Sequence, residues 1–262
     1  ALYYDTDWRS AVLRRGITKD ANVAASGGTE KLKYYASGGY FDQRGIVIGS
    51  DFKRFTGKFN LNGEVTKSIS FGINNTIANS IQNTPAGAGG GANPVRFADI
   101  NSNIYSIYSR DANGNILYDT KGKAIYNYVN PVSPDFNPLG LNELDQYLSK
   151  TTRINSSPFI QAKFLNGFTA KALVSLDYTG VRENQFYNLE HGNGVGVKGR
   201  AYRYSKEDIT TTYINTLSYD KTFGKHNINV LVGQEAFKNT YDSFSAERTG
   251  FSFAGQTELG NA

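Results

Sequence analysis

Residues 52–77, FKRFTGKFNLNGEVTKSISFGINNTI, alternate between apolar and polar side chains on either side of a polar break. The apolar positions are Phe55, Gly57, Phe59, Leu61, Ile69, Phe71 and Ile73, and the polar positions between them include Arg54, Lys58, Asn60 and Asn74. Successive side chains of a β-strand point to opposite faces of its sheet. The stretch therefore predicts two long antiparallel strands with one apolar and one polar face, joined at about residues 62–67.

The same alternation recurs along the chain and predicts about eight strands in all. The other strands are expected at about residues 17–26, 31–41, 152–165, 168–179, 209–220 and 227–237. Short connections alternate with long ones, and a strand of about twelve residues tilted by roughly 45° rises about 28 Å, close to the hydrocarbon thickness of a bilayer. We therefore predict an all-β fold, a segment of an antiparallel transmembrane β-barrel with short turns on one side and long loops on the other.

A second interpretation is that of a secreted β-rich adhesin or glycan-binding module, whose sheets bury their apolar faces against each other. Strands in such sandwiches are usually shorter, about five or six residues. Composition does not separate the two, because a hydrophobic content of 39%, an aromatic content of 13% and a mean hydropathy of -0.46 suit either one.

Few residues of this chain are suited to catalysis or metal binding. With Cys 0, thiolate metal sites, cysteine nucleophiles and disulfides are excluded, and with His 2 a histidine-rich metal centre is not expected. We interpret His191, in a glycine-rich loop, and His226, in a turn, as solvated. The net charge of +5 is spread along the chain rather than gathered in a basic stripe, so no nucleic-acid partner is expected. We expect no enzyme activity and no cofactor.

Alternation is lost in three segments, at about residues 79–150, 180–205 and 239–262, which we predict to be long extracellular loops. The first 16 residues have helical spacing instead. Trp8, Val12 and Leu13 are expected to share one face of a short helix, with Asp7 as its N-cap and Gly16 at its end.

Residues 23–76, VAASGGTEKLKYYASGGYFDQRGIVIGSDFKRFTGKFNLNGEVTKSISFGINNT, closely resemble the start of the barrel in SusC/RagA-type TonB-dependent transporters. The tripeptide Thr6-Asp7-Trp8 and the segment NTLSYDKTFGKHNINVLVGQE, residues 215–235, resemble the same family. The similarity spans most of the chain outside the long loops.

The resemblance implies a 22-stranded barrel in the bacterial outer membrane, with a plug domain inside it. Such a transporter would import bulky nutrients, glycans or peptides, with energy from TonB and with a SusD-like lipoprotein as an extracellular lid. Residues 1–16 would be the lead-in from a missing plug, and residues 17–262 the N-terminal part of the barrel. TonB would act through a region that is absent here, and the other partners would be outer-membrane lipid and an oligosaccharide or peptide substrate.

Two groups of residues are candidates for functional contacts. The polar face would line the lumen and touch either the plug or the substrate, through Arg54, Lys58, Asn60, Asn74, Arg153, Gln161, Lys171 and Asp177. The tyrosine-rich loop would either stack on substrate or pack against the lid and neighbouring loops, through Tyr105, Tyr108, Tyr118, Tyr126 and Tyr128. On the apolar face, the aromatic girdles at the membrane borders are predicted to include Tyr34, Tyr40, Tyr178 and Tyr219.

Overall fold

The structure, a computed structural model, describes residues 4–87, 90–129 and 136–262. Its main feature is one eight-stranded sheet in which every strand pairs antiparallel with its neighbours along the chain. The strands are β1 Ile17–Gly28, β2 Leu32–Arg44, β3 Asp51–Thr66, β4 Ile69–Asn83, β5 Gln146–Phe164, β6 Phe168–Tyr187, β7 Arg200–Phe223 and β8 His226–Thr249. The predicted number and order of strands are confirmed.

Helical structure is confined to short pieces outside the sheet. These are α1 Trp8–Val12, α2 Pro94–Ile100, α3 Pro138–Leu144 and the 3-10 turns Gly192–Val197 and Leu259–Asn261. Asp7 caps α1 as predicted, because its carboxylate accepts the backbone N–H of Ser10 at 3.0 Å. The predicted end at Gly16 is wrong: Leu13 is already extended and 41% exposed, so only Trp8 and Val12 share the buried face.

Strand register aligns the two faces across the whole sheet. Lys58 pairs with Thr76 and Asn60 with Asn74, whereas Leu61 pairs with Ile73. The predicted break at 62–67 is corrected, since β3 continues to Thr66 through a bulge and the turn comprises only residues 67–68. Because paired residues point to the same side of the sheet, the polar positions of one strand lie beside those of the next and form one polar face.

Burial separates this sheet from a β-sandwich. Large apolar side chains of the strands are exposed, with Val23 at 77%, Phe59 at 43% and Val232 at 66%, and they lie on the same face of the sheet. The buried apolar residues are instead Trp8, Val12, Ala92, Phe97, Leu141, Phe186, Ala201 and Phe251, all at or beyond the strand ends. Within the described residues no second sheet covers the apolar face, as expected of a transmembrane barrel segment and not of a sandwich.

The two ends of the sheet differ as a transmembrane barrel requires. One end carries the tight turns at residues 29–31, 67–68, 165–167 and 224–225, and the other carries the connections 45–50, 84–145 and 188–199. We call these the turn end and the loop end. Helix α1 lies at the loop end, where Trp8 packs edge-on against Phe97 at 4.7 Å between ring centroids. That residues 1–16 lead in from a plug remains a prediction.

The predicted loop segments were too long at every boundary. Strand β4 extends to Asn83, β6 to Tyr187 and β8 to Thr249, while β5 starts at Gln146 and β7 at Arg200. Alternation disappears there because strand segments beyond the lipid-facing apolar band no longer need one continuous apolar side. Their backbone ladder continues all the same. Among the described helices, none has the length and apolar character needed to cross a membrane.

Candidate functional site

The polar face of the sheet, which in a transmembrane barrel borders the lumen, carries all eight of the predicted contact residues. Three of them are cations that lie over aromatic rings. The Arg54 guanidinium is 5.5 Å from the centroid of Phe41, Lys58 Nζ is 6.0 Å from Tyr35, and Lys171 Nζ is 4.4 Å from Phe159. Such pairs hold a cation beside an apolar surface while leaving it accessible to solvent.

A polar ladder runs along β5 and β6 beside these pairs. The Asn155 amide donates to the carboxylate of Asp177, and the hydroxyls of Ser157 and Ser175 lie 3.2 Å apart. Gln161 is the register partner of Lys171. These contacts fix side-chain positions along β5 and β6.

Asn60 of β3 and Gly72 of β4 lie on the polar face of neighbouring strands. The side-chain oxygen of Asn60 is buried and has no hydrogen-bond partner among the described residues. Gly72, two residues before Asn74, leaves room for the Phe159 ring, because a Cβ there would overlap the ring and the amide oxygen of Asn62. Arg153 and Asn74 lie on the same face through their register partners Ala78 and Ser157.

At the loop end, three of the five predicted tyrosines form one aromatic cluster. Tyr108 stacks on Tyr126 at 5.3 Å, and Tyr126 meets Tyr128 edge-on at 6.4 Å. Tyr128 in turn stacks on His191 at 3.5 Å with 10° between the ring planes. The cluster therefore joins the 101–129 segment to the connection between β6 and β7.

An ion pair closes one side of this cluster. Glu143 of α3 accepts hydrogen bonds from Lys123 and, at 2.7 Å, from the Tyr126 hydroxyl. Burial opposes ionisation of Glu143, but these two donors outweigh it and lower the pKa of its carboxyl. The bond to Glu143 raises the pKa of Lys123. Burial, followed by the bond to Glu143, raises the pKa of the Tyr126 hydroxyl, so this phenol stays protonated and serves as a donor.

Burial also sets the charge of the groups around Tyr128. It raises the pKa of the Tyr128 hydroxyl and lowers that of the His191 imidazole, against a smaller opposing effect of the Glu190 carboxylate. Nearby, burial raises the pKa of Asp145, although its carboxylate accepts the backbone and amide N–H groups of Asn188 at 2.8 and 2.7 Å. The lowered pKa of His191 favours the neutral imidazole in the stack.

The other two tyrosines stand apart from the cluster. Tyr118 is 60% exposed in a small hairpin that the bridge between Tyr118 and Ala124 defines, and Tyr105 is half-buried. Exposed apolar side chains lie on the same segment, namely Ile104 at 49%, Leu117 at 41%, Ile125 at 41% and Val129 at 77%. They are part of the apolar surface that is exposed at the loop end.

A cleft of about 500 Å³ opens at the loop end between α3, residues 83–86 and residues 255–257. Its carboxylates are already engaged: Asp51 with Arg14 at 2.7 Å, Glu143 with Lys123, and Asp145 with Asn188. In the part of the chain that the structure describes, no three His, Cys, Asp or Glu side chains are grouped to hold a metal ion.

Two features of the site were missed from the sequence. Tyr35, Phe41 and Phe159 lie on the polar face although they are aromatic. Their positions in the two-residue alternation of each strand predict this face, whereas their hydrophobicity predicts the other one. The interpretation of His191 as solvated is wrong, because it stacks on a ring 63 residues away in the chain, and no local pattern reports such a contact. His226 is exposed at the start of β8, as expected.

No protein-family model matches the chain. Among curated proteins it is 29% identical over 238 residues to the TonB-dependent receptor P3 of Formosa agariphila, a match that covers 87% of this chain and 22% of that protein. It is 28% identical over 250 residues to the TonB-dependent receptor SusC of Bacteroides thetaiotaomicron, which covers 88% of this chain and 24% of SusC. Over most of its length the chain is similar to a segment of SusC-type TonB-dependent receptors.

Solved structures of transporters of this type share the fold of this chain. It superposes on the RagAB peptide transporter with a TM-score of 0.75 and on the RagAB peptide importer in its closed-closed state with 0.74, each at 22% identity. Each superposition covers 98% of this chain and 28% of the matched chain. The segment thus spans about a quarter of the length of its relatives, and its strands form one part of a larger barrel wall.

Proposed function

We propose that this receptor segment is part of the wall of a bacterial outer-membrane importer for bulky nutrients, oligosaccharides or peptides, driven by TonB. The observation that carries the proposal is the exposure of the large apolar side chains of the strands, whose face of the sheet packs against no protein core among the described residues and is free to contact lipid. The polar face, with its three cation-over-ring pairs, then lines the path of the solute. Oligosaccharides and peptides both offer apolar and hydrogen-bonding groups that suit such a surface.

The exposed apolar surface at the loop end supports a lid partner. Ile104, Leu117, Tyr118, Ile125 and Val129 are exposed on one segment, and such patches mark protein contacts. A SusD-like surface lipoprotein is the partner proposed for it. The tyrosine cluster, by contrast, is occupied by its own contacts with Glu143 and His191 and serves to fix the loops.

Uptake by a deletion strain tests the proposal. A strain that lacks the receptor gene is grown on a panel of oligosaccharides and of peptides, each as the sole source of carbon or nitrogen. We expect growth on one class to fail and to return with the intact gene, but not with a gene that lacks the segment through which TonB acts. Unchanged growth and uptake on every substrate would contradict it.

A further inference from the structure

A small pocket opens on the apolar face just beyond the apolar part of strands β5 and β6. Its volume is about 230 Å³, and its lining includes Thr152, Tyr178, Gly180 and Glu207 with Lys150 and Arg182. On this face of β6, apolar side chains run from Phe168 to Tyr178, about 33 Å along the strand and roughly 23 Å in height at a 45° tilt. Arg182 is the next residue of β6 on this face after Gly180, in the direction of the loop end.

Two cations face each other at this pocket. Lys150 and Arg182 are register partners on neighbouring strands, point to the same side and are both exposed. Among the described residues neither has a carboxylate within ion-pair distance. Like charges directly opposite one another destabilise a sheet, so a bound anion would relieve a repulsion that the chain does not relieve itself.

The pocket also offers one neutral donor. The Thr152 hydroxyl accepts the Asn79 amide at 3.0 Å, which leaves the Thr152 proton free, whereas the Tyr178 hydroxyl donates its proton to the Glu207 carboxylate at 3.4 Å. Gly180 makes this arrangement possible, because a Cβ there would come within 2.5 Å of the Tyr178 hydroxyl. With Lys150, Arg182 and one carboxylate, Glu207, the lining side chains on this face remain net cationic.

We propose that Lys150, Arg182 and Thr152 bind a phosphate group of an anionic lipid headgroup in the outer leaflet, while Tyr178 engages the one carboxylate on this face, that of Glu207. The proposal rests on the proposed function, since that function places the loop end outside the cell. At that level lies the headgroup region, which extends about 5 to 8 Å beyond the hydrocarbon core on each side. A lipid is favoured over a free anion because Tyr178 and Ile154 continue the pocket into the apolar face, where acyl chains lie.

Lipid binding to the purified full-length receptor tests this proposal independently of transport. Native mass spectrometry in a neutral detergent counts bound diphosphorylated lipid A and its dephosphorylated form. We expect the Lys150→Gln, Arg182→Gln double variant to weaken binding of the phosphorylated lipid at least about tenfold. Binding of the dephosphorylated lipid should not change.

Lys221→Gln is the matched control, because Lys221 is a cation on the same face of β7 near the turn end. It should leave binding of the phosphorylated lipid unchanged. Gly180→Ala, which keeps every charge but displaces the Tyr178 ring, should weaken binding as well. Equal binding by the wild type and the double variant, or displacement of the lipid by millimolar inorganic phosphate, would overturn the proposal. A receptor that imports normally but binds no lipid would refute this site alone.

Discussion

The imidazole of His191 lies flat against the phenol ring of Tyr128, with 3.5 Å between the ring centroids and 10° between the planes. The contact joins the 188–199 connection to the 101–129 segment. Burial lowers the pKa of His191, which favours the neutral imidazole.

The stack should therefore weaken in acid. A group whose pKa is lower in the folded than in the unfolded state stabilises the fold fully above its unfolded value, about 6.5 for His191, and loses that stabilisation as pH falls through and below it. Hydrogen exchange of peptides that cover residues 188–199 should speed up between pH 7 and pH 5, after correction for intrinsic exchange. His191→Phe keeps a stacking ring without a titrating nitrogen and should remove this pH dependence; its persistence would contradict the assignment.

Phe59→Arg should destabilise the barrel by about 2–4 kcal/mol, because Phe59 is exposed on the lipid-facing side within the apolar band. The neighbouring substitution Asn60→Arg places the same side chain on the lumenal side and should have little effect. The measurement is the free energy of unfolding of the full-length receptor by denaturant titration in lipid vesicles. Equal losses for both variants would reverse the assignment of the two faces.

Gly72→Ala should destabilise the receptor by about 1–3 kcal/mol, because the added methyl group would overlap the Phe159 ring that lies under Lys171. Gly38→Ala is its control, since a Cβ at Gly38 meets nothing within 4 Å. The same denaturant titration compares them. If Phe159→Leu restores the stability of the Gly72→Ala variant, the clash with the ring is its cause; equal stability of both glycine variants would rule that clash out.

Leu117→Asp should weaken association with the SusD-like lid at least about tenfold if the exposed apolar surface is the docking site. Thr120→Asp adds the same charge to the same exposed hairpin without removing an apolar group, and should leave association intact. Co-purification of the lid with tagged receptor, quantified over a dilution series, measures both. Normal lid recovery with Leu117→Asp would place the docking surface elsewhere.

The alternation of Phe55, Phe59 and Leu61 with Arg54, Lys58 and Asn60 was enough to predict the strands, their order and their two faces. Side-chain direction in a strand is local, and tight turns leave antiparallel neighbours no other pairing. The same reasoning could not find where the strands end above the membrane. No continuous lipid-facing side is needed there, so β6 continues to Tyr187 and β8 to Thr249 by backbone hydrogen bonds that leave no alternation in the side chains.

The partners of the loop end depended on tertiary structure alone. Tyr108, Tyr126 and Tyr128 were identified as candidates from composition, but only folding showed that Glu143 and His191 occupy them and that Tyr118 is left exposed. Lys150 and Arg182 likewise lie opposite each other only because of the register in which β5 pairs with β6. Local sequence determines which way each side chain points, whereas contacts between residues far apart in the chain exist only once the sheet and its connections have folded together.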